Sequence, residues 1–536
     1  MRVSTPLGGP SRAIELNPGR AILKSARRGP TVKCGFHSAA RPCCARDDLT
    51  SRPVLEGSPI AALGIAGPQV EMIALIFLIF ASLTLEVFAP GVGISAVSVL
   101  AVVMTVWWKP RAAVVFLVVF FGLQELLTNC AAEVDPLFAG TLGLLDEVAL
   151  LAAGLRAVRV LSVGDRSWFA REDWTFAILF LVCGIISSVV HGGGGIAPAA
   201  LGFALSCKFF GFILFAASVP WKEGDADRAV TAVIWAMPVL LLVGFIGYLF
   251  PDEVLKYLAP GQADASFTRG DVSFFMAPFP HPGVYGWAMA VGALAAITRL
   301  MRGHSPGPVI GLAAGVVGVI LSVRRRPLVA LPVSLFAVLL RVTGRQRLRV
   351  MGTFLVVAGL LVWLGGDFIH ATVEDTMTSY LADDAAESAR GLLVLGAVDL
   401  GKQDFPLGAG FGRFGTYASV LFYSDIYDQL ALSHIYGLAP DSPYYIMDTY
   451  WPHILAEAGA VGLLALAVFM WRLWRRVRLL DSTEGRMAAL LLVEGLVESL
   501  AGPVFDTSLQ SLVIAIPIGM ALRSIHAARR VDERRG

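Results

Sequence analysis

From about residue 70 onward the chain is a succession of apolar runs separated by short polar breaks. Many of these runs approach or exceed the roughly 18–20 apolar residues that cross a bilayer. They predict fourteen helices, near 70–88, 91–108, 112–129, 137–155, 174–190, 197–219, 229–250, 283–300, 307–322, 327–341, 350–365, 451–471, 485–501 and 507–523. The fourth carries Asp146 and Glu147 inside its apolar run, which reads as a structural polar contact within the membrane. The expected fold is all-α: a polytopic transmembrane helical bundle of about fourteen spans.

Lysine and arginine in the short loops set the orientation. With the N-terminus inside, the inner loops hold Lys109 and Arg111; Arg156, Arg159, Arg166 and Arg171; Lys222 and Arg228; Arg299 and Arg302. The later inner loops hold Arg341, Arg345, Arg347 and Arg349, then Arg472, Arg475, Arg476 and Arg478. Arg523, Arg529 and Arg530 place the C-terminus inside as well. One outer turn breaks the rule: Ser322-Val-Arg-Arg-Arg-Pro327 puts Arg324, Arg325 and Arg326 where basic residues are unfavourable for topology. Such an exception points to function, because arginine pairs bidentately with phosphate.

Composition agrees with this picture. Of 536 residues, 56% are hydrophobic and 16% charged, with a mean hydropathy of +0.69, which leaves no room for a large soluble domain. Residues 1–68 are basic and rich in Pro, Gly and Ser, and read as a disordered tail. The expected organisation is that tail, a bundle over 69–365, an outward loop over 366–450 between spans eleven and twelve, further spans over 451–525, and a cytoplasmic tail over 526–536. The six cysteines (34, 43, 44, 130, 183 and 207) lack metal-type spacing, and no metal or other cofactor is expected.

Two outer segments are long. The first, 251–282, includes Arg269 and His281. The second, 366–450, holds twelve acidic residues, three basic ones (Arg390, Lys402 and Arg413) and eight of the eleven tyrosines. A structureless stretch of that length is unusual; residues 383–400 read as helical, and Pro406-Leu-Gly-Ala-Gly-Phe-Gly-Arg-Phe-Gly415 as a tight glycine-rich turn. The loop ends in Asp448-Thr-Tyr-Trp-Pro-His-Ile-Leu-Ala-Glu-Ala-Gly-Ala-Val-Gly462, which carries Asp448, Tyr450 and Glu457.

In order, these motifs are Leu321-Ser-Val-Arg324, then Arg390, then 406–414, then 448–462. Over roughly residues 70–525 the ordered set resembles the O-antigen ligase and polysaccharide polymerase superfamily. Ligases of that family carry a His just before the Tyr of the last motif, whereas here Asp448 precedes Tyr450 by two. That departure tilts the resemblance toward a polymerase.

The resemblance implies transfer of a glycan from an undecaprenyl-diphosphate carrier, without a metal, at the outer face of the cytoplasmic membrane. The leaving diphosphate gains negative charge as the sugar–phosphate bond breaks, so fixed cations would stabilise it. Arg324, Arg390 and Arg269 are the first candidates, with Arg325 and Arg413 behind them. Asp448 is the first candidate for the acceptor-hydroxyl base, with His281 and His453 as rivals. Tyr450 and Glu457 join the candidate substrate-binding set. Implied partners are the lipid-linked glycan, membrane lipids, and flippase and chain-length regulator proteins; no nucleic acid is expected. The rival class is a flippase for lipid-linked glycans. Charges around a central cavity would favour the flippase, and arginines gathered at the outer rim favour transfer chemistry.

Overall fold

The computed structural model describes residues 91–163, 171–191, 194–258, 268–269, 272–303, 306–340 and 388–535, with scattered positions between 344 and 359. These residues form a helical bundle, with one two-residue β pairing. The helices are α1 (Val92–Trp108), α2 (Pro110–Ala132), α3 (Pro136–Gly143), α4 (Leu145–Val163), α5 (Arg171–Val190), α6 (Ile196–Ser218), α7 (Asp225–Leu249) and α8 (Pro251–Leu258). Strands β1 (Thr268–Arg269) and β2 (Val272–Ser273) then pair antiparallel, Arg269 opposite Val272. After them come α9 (Pro282–Leu300), α10 (Pro306–Leu321), α11 (Arg325–Leu339), α12 (Ala389–Gln403), α13 (Tyr417–Leu421), α14 (Ile426–Gln429), α15 (Trp451–Val477), α16 (Thr483–Glu498) and α17 (Ser508–Arg535).

Six of these helices are long and apolar enough to cross a membrane: α2, α6, α7, α9, α15 and the Ser508–His526 part of α17. Large apolar side chains such as Val115, Val189, Leu242 and Leu464 stand exposed on the outside of the bundle. A face of that kind suits lipid rather than water. The expected spans 70–88 and most of 350–365 lie outside the described residues, as does the N-terminal tail.

The sequence reads 137–155 as one helix, but the chain breaks it into α3 and α4, bent by 41°. Asp146 and Glu147 thereby fall in the first turn of α4, where the helix dipole favours negative charge. The Gln124 side chain on α2 donates to the carbonyls of Leu142 and Gly143, each at 3.1 Å, and so satisfies backbone groups that the break releases.

The segment 388–450 is compact rather than extended. Leu393, Ala397, Phe414, Tyr427 and Ile446 share a small apolar core of their own. The glycine-rich turn docks onto the first turns of α15. Ala409 N–H donates to Ala456 O at 2.7 Å, and Gly410 N–H to Glu457 O at 3.0 Å. Ser187 and Ser188 on α5 accept the N–H groups of Gly408 and Phe411 at 3.1 and 2.8 Å. The helix opens at Gly459, whose φ of 74° is a left-handed conformation that costs a side-chain-bearing residue. A Cβ there would also overlap the backbone of Leu407.

Candidate functional site

At one end of the bundle, four separate stretches of chain bring charge together. They are the start of α9, the turn between α10 and α11, the start of α12, and the turn before α15. The α10–α11 turn is held tightly: Phe275 N–H donates to Leu321 O at 3.1 Å, and the Ser322 hydroxyl donates to Val319 O at 2.7 Å. Between them Val323 is buried with φ at 51°. A β-branched residue in that region is strained, and the strain stands directly beside Arg324.

Arg390, in the first turn of α12, donates from Nε to Asp448 Oδ2 at 2.9 Å and makes a second, short bond from Nη2 to the same oxygen. Arg326 Nη2 approaches Asp448 Oδ1 at 3.6 Å from the other side. The Arg324 guanidinium lies over the Phe274 ring at 4.9 Å, and its buried Nε finds no hydrogen-bond partner among the described residues. Among the described residues, the Arg326 and Arg390 guanidinium groups thus meet the Asp448 carboxylate, and Arg324 lies within reach of its field. Burial, then Arg326 and Arg390, push Arg324 down to about 10, with Asp448 partly offsetting them. Guanidinium does not give up its proton in proteins, so Arg324 stays charged there, against the cost of its burial and of its two like-charged neighbours. The participants are reachable: side-chain exposure is 37% for Arg390, 28% for Arg326 and 20% for Asp448.

His281 caps α9. Its Nδ1 accepts the Gly283 N–H at 3.0 Å. A neutral ring whose Nδ1 accepts carries its proton on Nε2, so His281 offers a donor rather than a base in this arrangement. Crowding by protein atoms, then Arg324, Arg326 and Arg390, hold it well below its ordinary value, at about 3. The side chain is nonetheless open to solvent.

The remaining candidates lie elsewhere. Arg413 is tied into the scaffold, donating to His191 O at 2.9 Å and to Asp425 Oδ1 at 2.7 Å. Buried Glu457 is the keystone of the glycine-rich turn: its Oε1 accepts from Phe414 N–H at 3.0 Å and from the Thr416 hydroxyl at 3.2 Å. Tyr450 packs its ring against Trp451, His453 and Phe505 at 5.4, 5.1 and 5.4 Å and is buried. His453 is fully buried, with Nδ1 on Thr449 O at 3.0 Å and Nε2 at 3.3 Å from Asp506 Oδ2. Arg325 opens α11. Arg269 lies in β1, and its side chain is outside the described residues.

Sequence reasoning left two features out. Arg326 was one of three consecutive arginines with no means of phasing them before the start of α11 was known. The second is Lys208, the partner of the Asp146–Glu147 polar contact that the sequence does offer. Lys208, midway along α6, bonds Asp146 Oδ2 at 2.7 Å and Glu147 Oε1 at 3.1 Å. Ser508 also donates to Asp146 Oδ2, and Gln124 to Oδ1 at 3.4 Å. A single lysine inside an otherwise apolar span was the available signal. Among the described residues, no three His, Cys, Asp or Glu side chains stand together as a metal site. No protein-family model matches the chain, and no curated protein matches it in sequence.

Proposed function

We propose that the chain is a multi-pass membrane glycan polymerase that joins undecaprenyl-diphosphate-linked repeats at the outer face of the cytoplasmic membrane. In this reading it has about fourteen spans, both termini inside, and the loop 366–450 outside. The observation that carries it is the convergence of Arg324, Arg326 and Arg390 on one carboxylate, Asp448, at a solvent-accessible end of an apolar bundle. Excess guanidinium at a membrane surface suits a lipid diphosphate. Each arginine can give paired N–H donors to phosphate oxygens, and the stabilisation grows as the leaving diphosphate gains charge. Asp448 keeps lone-pair capacity to orient an acceptor hydroxyl and take its proton, and the His281 Nε2–H supplies a neutral donor to the diphosphate or the departing oxygen. Nothing in this scheme calls on a metal.

A ligase with a lipid or protein acceptor is the nearest alternative, since the same cations would serve the same donor. A flippase gains support from a different observation, the broken α3–α4 span beside the buried Lys208 cluster, because broken helices with interior charge suit transport. The centre of that cluster is shut off, however: the Lys208 and Asp146 side chains are only 5% and 10% exposed, with Glu147 at 26% on its edge.

Deleting the gene and profiling the glycans, with wild type or Arg324→Ala restored, separates these readings. Loss of long polymer with single lipid-linked units at the outer face is the outcome expected of a polymerase. Full-length polymer stranded on its carrier would mean a ligase. Single units trapped at the inner face would sink both enzyme readings.

A further inference from the structure

Behind the arginine site, α16 carries two carboxylates that none of the chemistry above uses. Glu494 and Glu498 are four residues apart, on one face of the helix. They are 0% and 3% exposed. Both oxygens of Glu494 and Oε1 of Glu498 find no hydrogen-bond partner among the described residues. The nearest polar group on α9, the Trp287 Nε1–H, is itself unpartnered by strict geometry yet close enough to interact with Glu494. Buried carboxylates left in this state demand a proton or an unseen partner.

Arg326 connects this pair to the surface. Its guanidinium lies across Gly502, just beyond the end of α16, where any Cβ would overlap it. There it feels Glu498 on one side and stands 3.6 Å from Asp448 on the other. The charges form a ladder from the surface inward: Arg390, Asp448, Arg326, Glu498, Glu494. Signs alternate until the last step, where two acids adjoin. The other polar groups around α16 do not change this balance. Trp451 on α15 donates to Ser499, and Asp227 on α7 and Ser524 on α17 meet Thr483 and Glu484 at the opposite end of the helix.

We propose that Glu494 and Glu498 form a buried proton-binding pair that holds one proton between them and positions Arg326 for the surface site. Two adjacent buried carboxylates whose one nearby donor among the described residues is the Trp287 Nε1–H cannot both ionise in the bundle interior. A single shared proton leaves one negative charge to face Arg326. Loss of that proton adds a second charge, which draws Arg326 inward, away from Asp448, and lowers the positive potential that the surface site offers an anion. Arginine carries no proton in this coupling; it transmits the change by position and field alone. The consequence for the surface site rests on the diphosphate reading above, whereas the proton pair itself does not.

Two measurements on the purified full-length protein test the proposal. Infrared spectroscopy in H2O and D2O reads the carbonyl stretch of protonated carboxyl groups. A buried, slowly exchanging band is expected in wild type and is expected to be lost or displaced in both Glu494→Gln and Glu498→Gln. Binding of undecaprenyl diphosphate, followed across neutral to alkaline pH, reads the coupling. In wild type it should weaken with rising pH by about tenfold more than in either glutamine variant, the order expected for one added unit charge acting through a partly screened interior. The lipid's own titration is common to all three proteins. A purely structural role for the glutamates would lower binding at every pH and leave the profile parallel to wild type, which overturns the coupling. An unchanged infrared band overturns the proton pair. If wild type binds the diphosphate no better than undecaprenol at any pH, the reading of the surface site fails, and the infrared band alone decides the pair.

Discussion

Two charged clusters in this bundle are built on opposite plans. The interior one is largely satisfied from within: Lys208 bridges Asp146 and Glu147, and Ser508 and Gln124 complete the hydrogen bonds of Asp146, while Glu147 Oε2 alone of these carboxylate oxygens lacks a partner among the described residues. The one at the bundle end stays open. Among the described residues it sets Arg326 and Arg390 on the Asp448 carboxylate with Arg324 beside them, leaves Arg324 Nε without a partner, and keeps solvent access. A closed cluster resolves the cost of burying charge and ties helices together, here α4, α6 and the start of α17. An open cluster with surplus positive charge leaves that demand for a ligand to meet. The same residue types therefore serve architecture in one place and, in the proposed reading, recognition in the other.

The contrast predicts which substitutions harm folding and which harm only function. The largest effect on stability falls in the interior. Lys208→Met strands two carboxylates, and about 3–5 kcal/mol should be lost from unfolding in detergent. A loss under about 1 kcal/mol would mean that the interior cluster is not a structural tie. At the bundle end, Arg324→Ala and Arg390→Ala should each cut glycan transfer by roughly 10²–10³-fold while thermal unfolding stays close to wild type. Equal losses of stability and transfer would erase the distinction.

Gly459→Ala should destabilise by roughly 1–3 kcal/mol through the left-handed backbone alone. It should also loosen the glycine-rich turn, read as faster proteolysis within 388–450. Val323→Gly is the subtler probe. It relieves a strained φ and should leave stability within about 1 kcal/mol of wild type, yet weaken transfer by freeing the turn that fixes Arg324. Retained transfer would show that the strain does not hold the arginine.

His281 gives the smallest effect, and its sign is defined. Its folded value is depressed from 6.5 to about 3, so above pH 6.5 it is neutral in both folded and unfolded chains and contributes no pH dependence. Between those values the unfolded chain binds the extra proton, so stability falls as pH drops through that window. His281→Asn keeps a capping side chain and should remove that slope. An unchanged slope would assign it to other groups.

Part of this was legible in the sequence because it violated a rule. Arg324 stands out by breaking the charge pattern of the loops, and Arg390, His281 and Asp448 stand out as polar residues in segments expected to face outward. Their convergence was not legible, because Arg390 and Asp448 meet across 58 residues and the path between them depends on how the glycine-rich turn packs. Arg413 and Glu457 carried motif-like surroundings for a scaffold reason: they hold that turn against α5 and α15. The break at Leu144 and the pairing of Lys208 with Asp146 had a visible cause, charge inside apolar runs. No local pattern, however, says which helix supplies the counter-charge.

The most direct test of the account is the binding of undecaprenyl diphosphate, against undecaprenol, to the purified protein and to its Arg324→Ala and Arg390→Ala variants. The account predicts a preference for the diphosphate of about tenfold or more, consistent with charge-assisted hydrogen bonds to phosphate, and its loss in both variants. Equal affinity for the two lipids, or a preference that survives both substitutions, would contradict it.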